Sequence, residues 1–206
     1  MTKAIPLLFI AAAAGRAQST STLGRAERAV SYEIAVGGNS SLIGSGYGEQ
    51  TGALRALRVS QRRDITGPMD VSIDGWIVQR RPSAESGFLS SRFSAGRYQK
   101  LETSWLIAGV ASASLPLRLP LDLVVDPKIG LGVAPVAYGR WRDQPTSGEP
   151  TSNGTSSTTS RGIVFTAGLS LRWHHIMLEQ HFVQVTGADA ALGNGENAPL
   201  MIGWRF

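Results

Sequence analysis

Three histidines and one glutamate are the side chains whose types and spacing could carry chemistry in this chain. His174 and His175 are adjacent, and Glu179 and His181 follow at alternate positions. A carboxylate beside an imidazole is the arrangement that lets a histidine activate a serine hydroxyl for hydrolysis. The residues two positions beyond His175 and His181 are Met177 and Val183, so no hydroxyl stands at that spacing. The same four side chains are also of the types that ligate metals. Neighbours on a strand point to opposite faces, so His174 and His175 cannot easily share an ion, whereas Glu179 and His181 do share a face. A hydrogen-bonded Glu179–His181 pair beside Arg172 is the plainer reading, and no catalytic residue, metal or cofactor is assigned. The chain has no cysteine, which excludes disulfides, thiol nucleophiles and thiolate metal sites. Gly44-Ser45-Gly46-Tyr47-Gly48 resembles a phosphate loop only in its glycine content, because no helix follows it, and loop flexibility explains it better.

The elements that carry these residues read as strands. Val30 to Gly38 alternates, with Val30, Tyr32, Ile34 and Val36 on one face and Ser31, Glu33 and Ala35 on the other. Ala53 to Gln61 is the weakest strand, its Leu57 and Val59 sharing a face with Arg55. Met69 to Gln79 sets Met69, Val71, Ile73 and Ile77 against Asp70, Ser72, Asp74 and Trp76. Arg97 to Ala113 sets Leu101, Thr103, Trp105 and Ile107 against Lys100, Glu102 and Ser104. Leu121 to Pro135, Gly162 to Trp173, Ile176 to Thr186 and the stretch beginning at Leu200 complete a count of eight. Pro145 to Ser160, rich in Ser and Thr, is expected to be a loop.

The connections run alternately long and short, beginning with the long Gly/Ser-rich loop from Asn39 to Gly52 and the short turn at Arg63 to Pro68. That asymmetry, with strands of about ten residues, is the signature of an all-β, eight-stranded antiparallel transmembrane β-barrel with short periplasmic turns and long external loops. Its apolar faces would meet lipid. Its lumen would hold a polar network of Glu33, Asp74, Lys100, Glu102, Asp122, Asp126, Lys128, Arg172, Glu179, His181 and Arg205. Trp173 and Trp204 near the short turns, and Tyr138 and Trp141 near the long loops, would form two interfacial girdles. Leu200, Ile202, Trp204 and Phe206 share the apolar side of the last strand, and the chain stops on that aromatic, as a lipid-facing closing strand would. The alternative is a soluble exported barrel resembling the lipocalins, which would turn the same apolar faces inward around a small apolar ligand.

The amino terminus reads as an export signal. Lys3 precedes an apolar run from Ala4 to Ala14, and Gly15 and Ala17 suit a cut before Gln18. Residues 1–17 are therefore expected to be a cleaved signal, 18–29 an N-terminal segment and 30–206 the barrel. Loss of Lys3 and Arg16 would lower the formal charge from +5 to +3. The remaining basic residues are scattered rather than clustered with aromatics, which argues against nucleic acid and for a mild preference for anionic surfaces such as lipopolysaccharide headgroups. Charged residues are only 17% of the chain and 24 residues are glycine, a composition suited to strands and turns rather than helices.

Eight strands, this loop pattern and the ending Met201-Ile202-Gly203-Trp204-Arg205-Phe206 resemble the small outer-membrane barrels of the OmpA/OmpX type, from about Val30 to Phe206. The resemblance implies a bacterial outer-membrane location, a monomer in outer-membrane lipid, and insertion by the barrel-assembly machinery through Ile202, Trp204 and Phe206. It implies no shared activity, so the expected role is non-enzymatic: structural, or surface interaction through the external loops. The lipid A deacylases are also small barrels, with a His-x-Ser-Asn element on the penultimate strand. His181 lies on that strand here and Glu196 precedes the last one, but Val183 replaces the serine.

Overall fold

The computed structural model describes residues 30–38, 53–64, 68–81, 91–94, 97–144, 154–187 and 199–206. The expected signal at 1–17, the segment 18–29 and most of each long connection lie outside the described residues. The described chain forms ten strands: β1 (Val30–Gly38), β2 (Ala53–Asp64), β3 (Asp70–Arg81), β4 (Ser91–Ser94), β5 (Arg97–Ser114), β6 (Leu117–Arg118), β7 (Leu123–Asp143), β8 (Thr155–Trp173), β9 (Ile176–Thr186) and β10 (Leu200–Arg205). Eight of them close a ring in the order β1, β2, β3, β5, β7, β8, β9, β10, and β10 pairs back onto β1. Every neighbouring pair is antiparallel. Closure removes the unpaired edges that an open sheet would expose. β4 and β6 are short additions outside the ring, paired to β5 and β7.

Alternation decides which way each side chain points. Along β1 the buried residues are Ser31, Glu33 and Ala35, and along β3 they are Asp70, Ser72, Asp74, Trp76, Val78 and, beside it, Gln79. The exposed face is apolar: Ile129, Leu131 and Ile202 are 61%, 62% and 65% exposed, while Glu33 and Asp74 are 3% and 1% exposed. The alternating apolar faces therefore turn outward, the reverse of what the lipocalin-like alternative requires of them. The interior has two tiers. Charged residues fill the half near the short turns. An apolar cluster that includes Val78, Leu101, Leu106, Ala137 and Trp141 fills the half near the long connections.

Three strands run well past the others, and their extra length corrects several expectations. β7 reaches Asp143 rather than Pro135, and β8 begins at Thr155, so Thr155–Ser160 is strand rather than loop. The reason is pairing: Ala137 to Arg142 of β7 lie opposite Ser160 to Thr155 and supply the ladder partners. Trp141 is fully buried on the inner side rather than standing in a girdle, because an odd spacing from Tyr138 puts it on the opposite face. Trp105 takes the outward place instead, directly across from Tyr138.

The seam between β1 and β10 has little room for side chains. A Cβ built on Gly37 would strike the Leu200 carbonyl oxygen and lie 2.6 Å from the Met201 Cα. Gly37→Val should therefore force β10 away from β1, at a cost of roughly 1–3 kcal/mol. Faster amide hydrogen exchange at Met201 and Ile202, with β7–β8 unchanged, is the expected reading.

Candidate functional site: an ion-paired interior

Arg58 occupies the centre of the polar tier and is completely buried. It projects inward from β2 because it alternates with the outward Leu57 and Val59. Its Nε donates to Glu179 Oε2 at 3.0 Å and its two terminal nitrogens reach Glu33 Oε2 at 3.1 Å and Asp74 Oδ1 at 3.3 Å. One guanidinium thus joins carboxylates from β9, β1 and β3. Arg62, two inward positions further toward the short-turn end, donates through Nε to Asp70 Oδ2 at 2.8 Å and pairs with Asp126 of β7 through another nitrogen. The same nitrogen lies 3.7 Å from Glu33 Oε1. Arginine suits both positions, since its planar fork offers five donors where an ammonium offers three.

The remaining polar groups complete the connection. Lys128 Nζ on β7 donates to Asp74 Oδ1 at 2.8 Å, crossing to β3, and Ser112 Oγ donates to Asp74 Oδ2 at 2.5 Å. Arg172 reaches within 4.0 Å of Glu33 Oε1. His181 Nε2 lies 3.2 Å from Glu179 Oε2 and its ring stands edge-on to Trp76 with centroids 5.0 Å apart. The imidazole lies over Gly168, its partner across β8 and β9, where a Cβ would collide with the ring.

The structure brings together Glu33, Asp74, Asp126, Lys128, Arg172, Glu179 and His181 of the expected lumen set, and Arg205 stands opposite Glu33 in the backbone register of β1 and β10. Three of the set lie elsewhere. Lys100 and Glu102 are displaced by a β-bulge, where Leu101 and Thr103 of β5 oppose consecutive residues of β7 and Glu102 is the extra residue. Leu101 therefore turns inward, and Glu102 turns outward to pair with Arg140 and Arg142. Asp122 is exposed in the β6–β7 turn at φ 58°, a left-handed conformation that Asp tolerates better than most residues.

Arg58, Arg62 and Asp70 were not in the sequence-derived set. The signal that could have found them is charge balance: that set holds six acidic residues against four of Lys and Arg, too few cations for a desolvated interior. The three histidines do not converge. His174 sits in the β8–β9 turn at φ 52°, and His175 stacks on Trp204 with Nδ1 2.9 Å from the Arg205 carbonyl oxygen. Val183 is fully buried at the position where a serine would have been needed. Among the described residues no group of three or more His, Cys, Asp or Glu is arranged to hold a metal.

No protein-family model matches the chain, and no curated protein sequence matches it. Among solved structures it is similar to Ail, the attachment invasion locus protein of Yersinia pestis, solved with the heparin analogue sucrose octasulfate. The identity is 12%, covering 86% of this chain and 96% of that one, with a TM-score of 0.41. It is also similar to Neisserial surface protein A, at 16% identity over 85% of this chain and 94% of that one, with a TM-score of 0.38.

Removing one partner of a buried ion pair leaves the other charge uncompensated, a loss of about 3–5 kcal/mol. Arg58→Gln should show at least that loss in a urea titration of the folded barrel. Glu102→Gln, on the outer face, should stay within about 1 kcal/mol of the parent. Gly168→Ala should destabilise by roughly 1–3 kcal/mol by displacing His181.

Proposed function

We propose that the chain is a monomeric, non-enzymatic β-barrel of the bacterial outer membrane, with a structural or surface-interaction role carried by its long connections. The observation that supports this best is the inversion of its faces. The outside carries a belt of exposed apolar side chains and the inside a connected set of charges beside an apolar tier, the arrangement suited to lipid around a closed sheet. Trp173 and Trp204 are exposed near the short turns, and Trp105 and Tyr138 face outward near the long connections, as membrane interfaces favour. An eight-stranded ring leaves an interior that side chains can fill, and the two tiers here fill it.

On this reading residues 1–17 are a cleaved export signal. The outward Ile202, Trp204 and Phe206 of the last strand are the surface gripped by the barrel-assembly machinery. Lipid and lipopolysaccharide are the surrounding partners, and nucleic acid is not one. The absence of a hydroxyl two residues after His181 is what speaks against a hydrolase of the lipid A deacylase kind.

Recovery in the outer-membrane fraction, with unboiled protein migrating differently from boiled protein on a gel, is the expected outcome. A soluble periplasmic monomer would overturn the reading. Leu131→Arg, near the middle of the outward face of β7, should cost about 2–4 kcal/mol of stability in bilayers. Equal stability of that variant in lipid would count against the same assignment of faces.

A further inference from the structure

We propose that the outward face of β5 and β7, just beyond the Trp105–Tyr138 pair, binds phosphate groups of a membrane glycolipid in the leaflet on the long-connection side. The inference rests on the outer-membrane reading and adds a site to it. Cross-strand register sets the order of side chains. Trp105 lies opposite Tyr138, then Thr103 opposite Arg140, and then Lys100 opposite Arg142. Cationic side chains therefore begin one alternation past the aromatic pair, at the depth where apolar chains give way to headgroups.

The two arginines are held in place. Glu102 accepts from Arg140 Nε at 3.1 Å and from Arg142 Nε at 2.6 Å, one carboxylate oxygen to each. The bulge that ejects Glu102 from the interior is what makes this clamp. Their side chains are 52% and 61% exposed, and contact through Nε engages only one of the five donors on each guanidinium. Two guanidinium groups side by side match a phosphate's several oxygens and its charge.

The surroundings have the same sign. Arg55 and Arg81 are exposed at this end of β2 and β3, and Glu102 is the one outward carboxylate there among the described residues. These side chains stand on the outward face of the barrel wall, beside the apolar belt. A lipid headgroup lies in that direction, and a soluble polyanion approaching from outside does not.

The test uses the full chain refolded in neutral detergent micelles and titrated by native mass spectrometry. The probes are bisphosphorylated lipid A and the same lipid without its phosphates. Arg140→Gln/Arg142→Gln should weaken retention of the phosphorylated lipid about tenfold or more, from two lost surface charges. Both proteins should hold the dephosphorylated lipid equally weakly, and Arg63→Gln/Arg118→Gln at the opposite end should bind like the parent. Equal retention of phosphorylated lipid by parent and double variant, with the boiled-to-unboiled gel shift intact, overturns the site alone. A parent without that gel shift overturns the membrane reading and the site with it. Binding of a free sulfated polysaccharide as tight as that of the lipid would overturn the assignment to a headgroup. Should the double variant fail to fold, Arg142→Gln alone, at the most exposed position, is read for a loss of about threefold or more.

Discussion

Arg58 places one positive charge among carboxylates from three strands, and all four side chains are buried from bulk solvent. Backbone hydrogen bonds tie each strand only to its neighbours. Arg58, Arg62 and Lys128 tie strands across the interior, from β2 to β9, from β2 to β7 and from β7 to β3. Such a set is worth having only when complete, because each desolvated charge is costly unless matched. In the polar tier the carboxylates of Glu33, Asp70, Asp74, Asp126 and Glu179 are accordingly met by Arg58, Arg62, Lys128, Arg172 and His181.

The apolar tier above it obeys a different rule. Leu101, Trp141 and Val78 pack the inner wall where β5, β7 and β8 outrun β1, β9 and β10. Trp141 still has a polar end to satisfy, and its Nε1 donates to Thr158 Oγ1 at 3.1 Å on the neighbouring strand. That bond gives a reason for hydroxyl side chains in the first part of β8. A segment with the composition of a loop becomes a strand because β7 provides both a ladder and an indole to bind.

Much of this was legible from period-two patterning. The outward faces of β1, β3, β7, β9 and β10 follow from alternating Val, Ile, Leu and aromatic residues, and with them the ring of eight. β2 was harder to read: Arg55, Arg58, Arg62 and Arg63 lie on both faces, so alternation there separates charge from charge. The bulge at Glu102 has no glycine or proline beside it to announce it, and the phase of β5 on its far side was consequently inverted. The end points of β7 and β8 were set by each other, a long-range pairing that local composition does not report.

The ladders that close the ring are unequal in a way that bears on mechanics. β1 and β10 share six paired positions and β10 and β9 five, against eighteen between β7 and β8. A hoop with one short joint does not share a load evenly. Pulled or sheared, it parts at the joint while the tall staves opposite hold, so β10 is the strand at which this barrel yields first and the β5–β7–β8 wall is its keel.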